Sequence, residues 1–74
     1  MNKKFKEGDR VILDLSSFEN EEIKGIYLKY FSQNVAHEVM RVFKERIKIK
    51  SILGEEKYPR IDYFKLFEKE RNEI

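Results

Sequence analysis

The chain contains no cysteine, one proline, three glycines and one histidine in 74 residues. Without cysteine it can form no disulfide, no thiolate nucleophile and no cysteine-ligated zinc centre. One histidine cannot supply the three or four nitrogen or sulfur ligands of a structural zinc site within a single chain. With glycines only at positions 8, 25 and 54, it lacks a glycine-rich phosphate loop. Its apolar runs stop at three residues, as in Val11-Ile12-Leu13, far short of the roughly 20 that span a bilayer. The opening Met1-Asn-Lys-Lys-Phe-Lys-Glu-Gly-Asp-Arg10 carries no secretory apolar core. The sequence therefore predicts a soluble, cytoplasmic protein with no membrane partner, no metal and no cofactor.

Apolar and charged residues each make up 41% of the chain, a balance that folds rather than stays disordered. At this length one small domain over residues 1–74 is expected, burying only about 60% of the surface its unfolded chain exposes. Eleven lysines against five arginines, eight isoleucines and a single alanine are what an AT-rich coding sequence gives. That points to a low-GC bacterium or its phage.

Hydrophobic spacing predicts a mainly β fold with one helix, of the α+β class. Val11, Leu13 and Leu15 alternate after a Gly8-Asp9 turn signal, giving a strand over Arg10 to Leu15. Ser16 to Glu22 reads as a loop. Ile26, Leu28 and Tyr30 alternate again, giving a second strand over Ile23 to Phe31 with Gly25 at a bend. Val35, Ala36, Val39, Met40, Phe43 and Ile47 then recur at helical spacing, so a helix is expected near residues 35–45, with Asn34 as its N-cap. Ile47 and Ile49, set against Lys44, Arg46, Lys48 and Lys50, predict a further strand. Gly54-Glu55 is a turn, and Lys57 to Ile61 a returning strand with Pro59 near its end. Asp62 to Ile74 fits either a helix capped by Asp62 or a short closing strand at Phe64-Lys-Leu-Phe. Neither the state of 62–72 nor the oligomeric state is fixed by the pattern.

Three stretches together resemble the small SH3-like barrels of the KOW and Tudor kind: Phe5-Lys-Glu-Gly-Asp-Arg-Val11, the Gly25-Ile26 step, and Gly54-Glu-Glu-Lys-Tyr-Pro-Arg-Ile-Asp-Tyr-Phe-Lys-Leu66. The resemblance implies a barrel of about five strands, here with an inserted helix near 35–45. It also implies binding rather than catalysis, to proteins or to nucleic acids, without fixing which. Ile23-Lys24-Gly25-Ile26 is in addition similar to a step in Sm-like subunits, which would imply a ring.

Catalysis has little to stand on. His37 has no serine or acid near it in a catalytic motif, and in the expected helix it faces away from Val35, Val39 and Phe43, as a solvated histidine would. Glu21-Glu22 and Glu55-Glu56 read as solubilising loop acids. No enzyme activity is expected. Charge is segregated, however: residues 24–50 hold seven cations against Glu38 and Glu45, while 11–23 hold four acids and no base. Lys44, Arg46, Lys48 and Lys50 would project from one side of a strand, with Arg41 a turn earlier and Tyr27 and Lys29 as neighbours from strand two. These seven residues form the candidate interaction surface. Phe43, Tyr30 and Phe64 are expected in the core. Phe18, Tyr27, Phe31, Tyr58 and Phe67 exceed what so small an interior holds, so some should be exposed as interface anchors. Two functional readings stay open. One is a non-enzymatic module that docks onto a larger protein, such as a phage or mobile-element modulator of a host protein. The other is a nucleic-acid-binding barrel that uses the basic strand face.

Overall fold

A computed structural model describes residues 4–67. Among them are one α-helix and two three-stranded antiparallel sheets, so the α+β class holds, with the helix in a different place from the one its spacing suggested. The chain enters through a turn in which Asp9 N–H donates to the Lys6 carbonyl, and Gly8 takes φ 94°, a left-handed value that glycine adopts without strain. Strand β1 (Arg10–Leu13) follows, with Val11 and Leu13 buried and Arg10 exposed. Asp14 accepts hydrogen bonds from Ser16 N–H and Oγ, which starts a 3₁₀ turn over Leu15–Ser17.

Helix α1 (Glu21–Phe31) occupies the segment whose alternation suggested a second strand. Its start is well specified: Asn20 Oδ1 accepts from the N–H groups of Glu22 and Ile23, at 2.8 and 3.0 Å, and Glu21 and Glu22 sit at the positive end of the helix dipole. Ile26, Leu28 and Tyr30 do not share a buried face. Ile26 is exposed, and Tyr27, Leu28, Tyr30 and Phe31 are the helix residues that pack on the core. Gly25 lies inside the helix, at no bend.

The helix expected near 35–45 is absent. Residues 37–42 form two short strands, β2 (His37–Glu38) and β3 (Arg41–Val42), joined by Val39 and Met40. β2 pairs with β1, setting Val11 opposite His37 and Arg10 opposite Glu38. β3 pairs with β4 (Ile47–Lys50), setting Arg41 opposite Lys48. The joining residues bond in both directions: Val39 N–H donates to the Asp9 carbonyl and Met40 N–H to the Lys48 carbonyl, each at 2.8 Å. One extended segment thus serves both sheets. His37 and Val39 face in, Met40 and Arg41 are both exposed, and Val42 turns in again. This one-residue slip in the alternation is what gave the apolar residues their helix-like spacing.

Gly54, at φ 86°, turns the chain from β4 into β5 (Glu56–Lys57). Their pairing continues as Ile47 N–H donates to the Pro59 carbonyl and Arg46 bridges Arg60. A 3₁₀ turn over Ile61–Tyr63 leads to β6 (Phe64–Leu66), which returns along the free side of β1 with Leu13 opposite Phe64. The closing-strand reading of 64–67 therefore holds over Phe64–Leu66, and residues 68–74 lie outside the described part.

The core comprises Phe5, Val11, Leu13, Phe31, Val39, Ile47, Ile49, Ile61 and Phe64. α1 docks onto it through aromatic edges. Phe31 meets Phe64 at 5.5 Å, and Tyr27 meets Tyr63 at 4.9 Å with Phe18 stacked against Tyr63 at 4.3 Å. A helix of eleven residues with glycine and β-branched residues inside it has little stability alone, so this packing is what maintains it. Phe64→Ala should lower the unfolding free energy by about 3–5 kcal/mol in urea titrations, and Asn20→Ala by about 1 kcal/mol. Equal effects of the two would contradict this core assignment.

Candidate functional site

In β4 the inward residues Ile47 and Ile49 are fully buried, while Lys48 and Lys50 turn to the outer face, as their alternation predicted. Arg41 stands opposite Lys48 in β3. On the other flank, Lys50 pairs with Glu56 and Arg46 with Arg60, which places Tyr58 across from Lys48. Phe43 is tied to the next row, its N–H donating to the Arg46 carbonyl. The outer face of this sheet therefore carries Arg41, Phe43, Arg46, Lys48, Lys50, Glu56, Tyr58 and Arg60. Lys44 sits at its end, in the β3–β4 turn.

Phe43, expected in the core, is 40% exposed, and Tyr58 is 48% exposed. Their rings lie 5.7 Å apart, inclined at 53°. With Lys44, Glu45 and Arg46 they line an open depression of about 470 Å³. Arg46 Nη1 donates to the Tyr58 carbonyl at 2.8 Å, which fixes the guanidinium beside the aromatic pair.

The acids near this face are already engaged. Arg60 pairs with Asp62 at 3.2 Å and with Glu45 at 3.4 Å. The hydrogen bond to Asp62, and then the charge of Glu45, hold its guanidinium above its ordinary range, so Arg60 is a fixed cation. Lys48 pairs with Glu56 and Lys57 with Glu55. Among the described residues, Arg41, Lys44, Arg46 and Lys50 form no ion pair. Lys44 and Arg46, without ion pairs among the described residues, thus line the depression with the two exposed rings, while Arg41 and Lys50 stand further along the same sheet.

Five of the seven sequence-selected residues come together here: Arg41, Lys44, Arg46, Lys48 and Lys50. The other two do not. Tyr27 is half-buried in the aromatic cluster under α1, and its hydroxyl accepts from Arg60 N–H at 3.2 Å. Lys29 is exposed in the last turn of α1, near Tyr30. Lys57 also covers that ring, from the side of β5 opposite to Tyr58. Both assignments depended on reading 23–31 as a strand. Sequence reasoning left out Phe43 and Arg60. Tyr58 is one of the surplus aromatics, and its position just before Pro59 at the strand end is the available signal.

His37 is buried, not solvated, and belongs to β2. Its ring nitrogens lie against backbone carbonyls, and among the described residues neither bonds to an acid or a hydroxyl. Among the described residues no group of three or more histidine or acidic side chains is placed to hold a metal ion, and no helix is long and apolar enough to cross a membrane. No family model, curated protein or solved structure matches this chain. Tyr27→Phe should cost about 1 kcal/mol in urea unfolding and speed hydrogen exchange at the Arg60 amide, which loses its acceptor. An unchanged Arg60 exchange rate would show that the contact does not hold in solution.

Proposed function

We propose that this chain is a non-enzymatic binding module of the SH3-like barrel kind, docking onto a larger protein through the Phe43–Tyr58 face. The barrel reading is supported by strand order: β6, β1, the shared β2–β3 segment, β4 and β5 run as antiparallel neighbours, with a 3₁₀ turn before the last strand. α1 is then an insert between the first and second barrel strands. The docking reading is carried by one observation, two exposed aromatics 5.7 Å apart beside Lys44 and Arg46, which form no ion pair among the described residues. Exposed rings next to arginine are the composition of interface hot spots. The matching surface is an apolar side chain flanked by carboxylates. The chain's size and lysine-rich composition suit an accessory protein of a phage or mobile element that modulates a host protein.

Single-stranded nucleic acid is the second reading, because Arg41, Lys48 and Lys50 share a face with rings on which bases could stack. Glu45, Glu56 and Asp62 on or beside that face oppose a phosphate track, which favours protein. A displayed random-peptide library decides between them. Peptides with an aromatic or aliphatic residue next to Asp or Glu should enrich on the native chain. They should bind at least about 30-fold more weakly when Phe43 and Tyr58 are both changed to Ala. Enrichment indifferent to that double variant would overturn the docking face. Salt-sensitive binding of an oligothymidine 20-mer, lost with Arg46 and Lys48 changed to Gln, would establish the second reading in its place.

A further inference from the structure

Helix α1 has a second face, made by Glu22, Gly25, Ile26 and Lys29. Their spacings of three, one and three residues put them together on one side of the helix. All four are exposed, Ile26 at 54%, while Tyr27 and Phe31 pack on the core. Gly25 is the unusual member. Glycine inside a helix is unfavourable relative to alanine, because its unfolded backbone has more freedom to lose. A Cβ added at Gly25 would meet nothing within 4 Å, so no contact among the described residues calls for glycine there. A bare patch of backbone next to an exposed isoleucine is what lets a second helix approach closely.

The charges on this face match a copy of themselves. Glu22 stands in the first turn of α1 and Lys29 in the last. Neither forms an ion pair among the described residues. When two α1 helices lie antiparallel with Glu22 of one chain facing Lys29 of the other, the same register sets Ile26 of one chain over Gly25 of the other. The two-fold axis then repeats both contacts. Acid meets base twice, and each isoleucine falls on glycine rather than on a side chain. A parallel pairing would instead oppose acid to acid and base to base.

We propose that the chain pairs with a second copy of itself through α1, as a two-fold antiparallel dimer in which Glu22–Lys29 ion pairs flank the Ile26–Gly25 contacts. A helix of eleven residues is about 16 Å long, so the contact belongs to the weak class that buries less than roughly 1,200 Å². Such a dimer forms and dissociates with concentration, and salt weakens it because its charges are exposed. None of the four residues belongs to the Phe43–Tyr58 face, so the two surfaces can be tested separately.

Sedimentation equilibrium of the full chain at low salt tests it. The average mass should rise from one chain toward two between about 10 µM and 1 mM, and a mass that stays at one chain across that range would overturn the proposal. Glu22→Lys sets like charges against each other at both ends and should weaken the association at least about tenfold. Combining Glu22→Lys with Lys29→Glu restores opposite charges and should return the association to within about threefold of the native value. Association indifferent to the single change, or not recovered in the double variant, would equally overturn the proposal, since a dimer through another face has no reason to follow this exchange. If the charge-exchanged chains do not fold, Gly25→Gln decides. Glutamine favours helix and fills the glycine patch, so this variant should stay a single chain, and undiminished pairing would contradict the proposal.

Discussion

The structure depends on the segment His37–Val42 bonding to two sheets at once. Val39 donates to Asp9 on one side and Met40 to Lys48 on the other, so the chain passes from the β1 sheet to the β4 sheet without breaking its hydrogen-bond ladder. A short chain has too little apolar area to fill two separate sheet interfaces. Sharing a strand lets Val11 and Leu13 from one sheet and Ile47 and Ile49 from the other bury against the same Val39, Phe31 and Phe64. The slip that exposes both Met40 and Arg41 is the local cost of the passage. It also turns Phe43 outward, so the binding face proposed above and the core arise from the same bend.

The interior is filled mainly by aliphatic and aromatic side chains, with His37 and Ser51 the buried polar ones among the described residues. The ion pairs on the outside are solvent-exposed, and such pairs contribute little to stability. Their effect is on the charge left over: Arg60 and Lys48 engage Asp62, Glu45 and Glu56, while Arg41, Lys44, Arg46 and Lys50 form no ion pair among the described residues. A partner bringing carboxylates and one apolar side chain would meet both needs of this surface without disturbing an existing contact.

Much of this was legible in the sequence where local chemistry and burial agree. Gly8-Asp9, the alternation of β1 and β4, and Gly54 all read correctly, because turn residues and a two-residue period point the same way, whereas the pattern from Asp62 onward fitted a helix as well as the closing strand found at Phe64–Leu66. Between Ile23 and Phe43 they disagree. Ile26, Leu28 and Tyr30 alternate and favour strands, yet Asn20 with Glu21 and Glu22 caps a helix, and the inward face is set by Tyr27 and Phe31 four residues apart. Val35, Val39, Met40 and Phe43 mimic a helical stripe only because a strand slips by one residue, and that slip is dictated by a partner strand far along the chain. The basic ladder on β4 was visible for the same reason that β4 was. Phe43 was lost with the misread helix, and His37 with it, since a burial that depends on two distant carbonyls leaves no local mark.

The shared segment can be observed directly by scalar couplings across hydrogen bonds in the isotope-labelled chain. The account predicts couplings from the Val39 amide to the Asp9 carbonyl and from the Met40 amide to the Lys48 carbonyl, with both amides slow to exchange. Couplings from these amides to carbonyls four residues earlier, or exchange as fast as in an open loop, would contradict it.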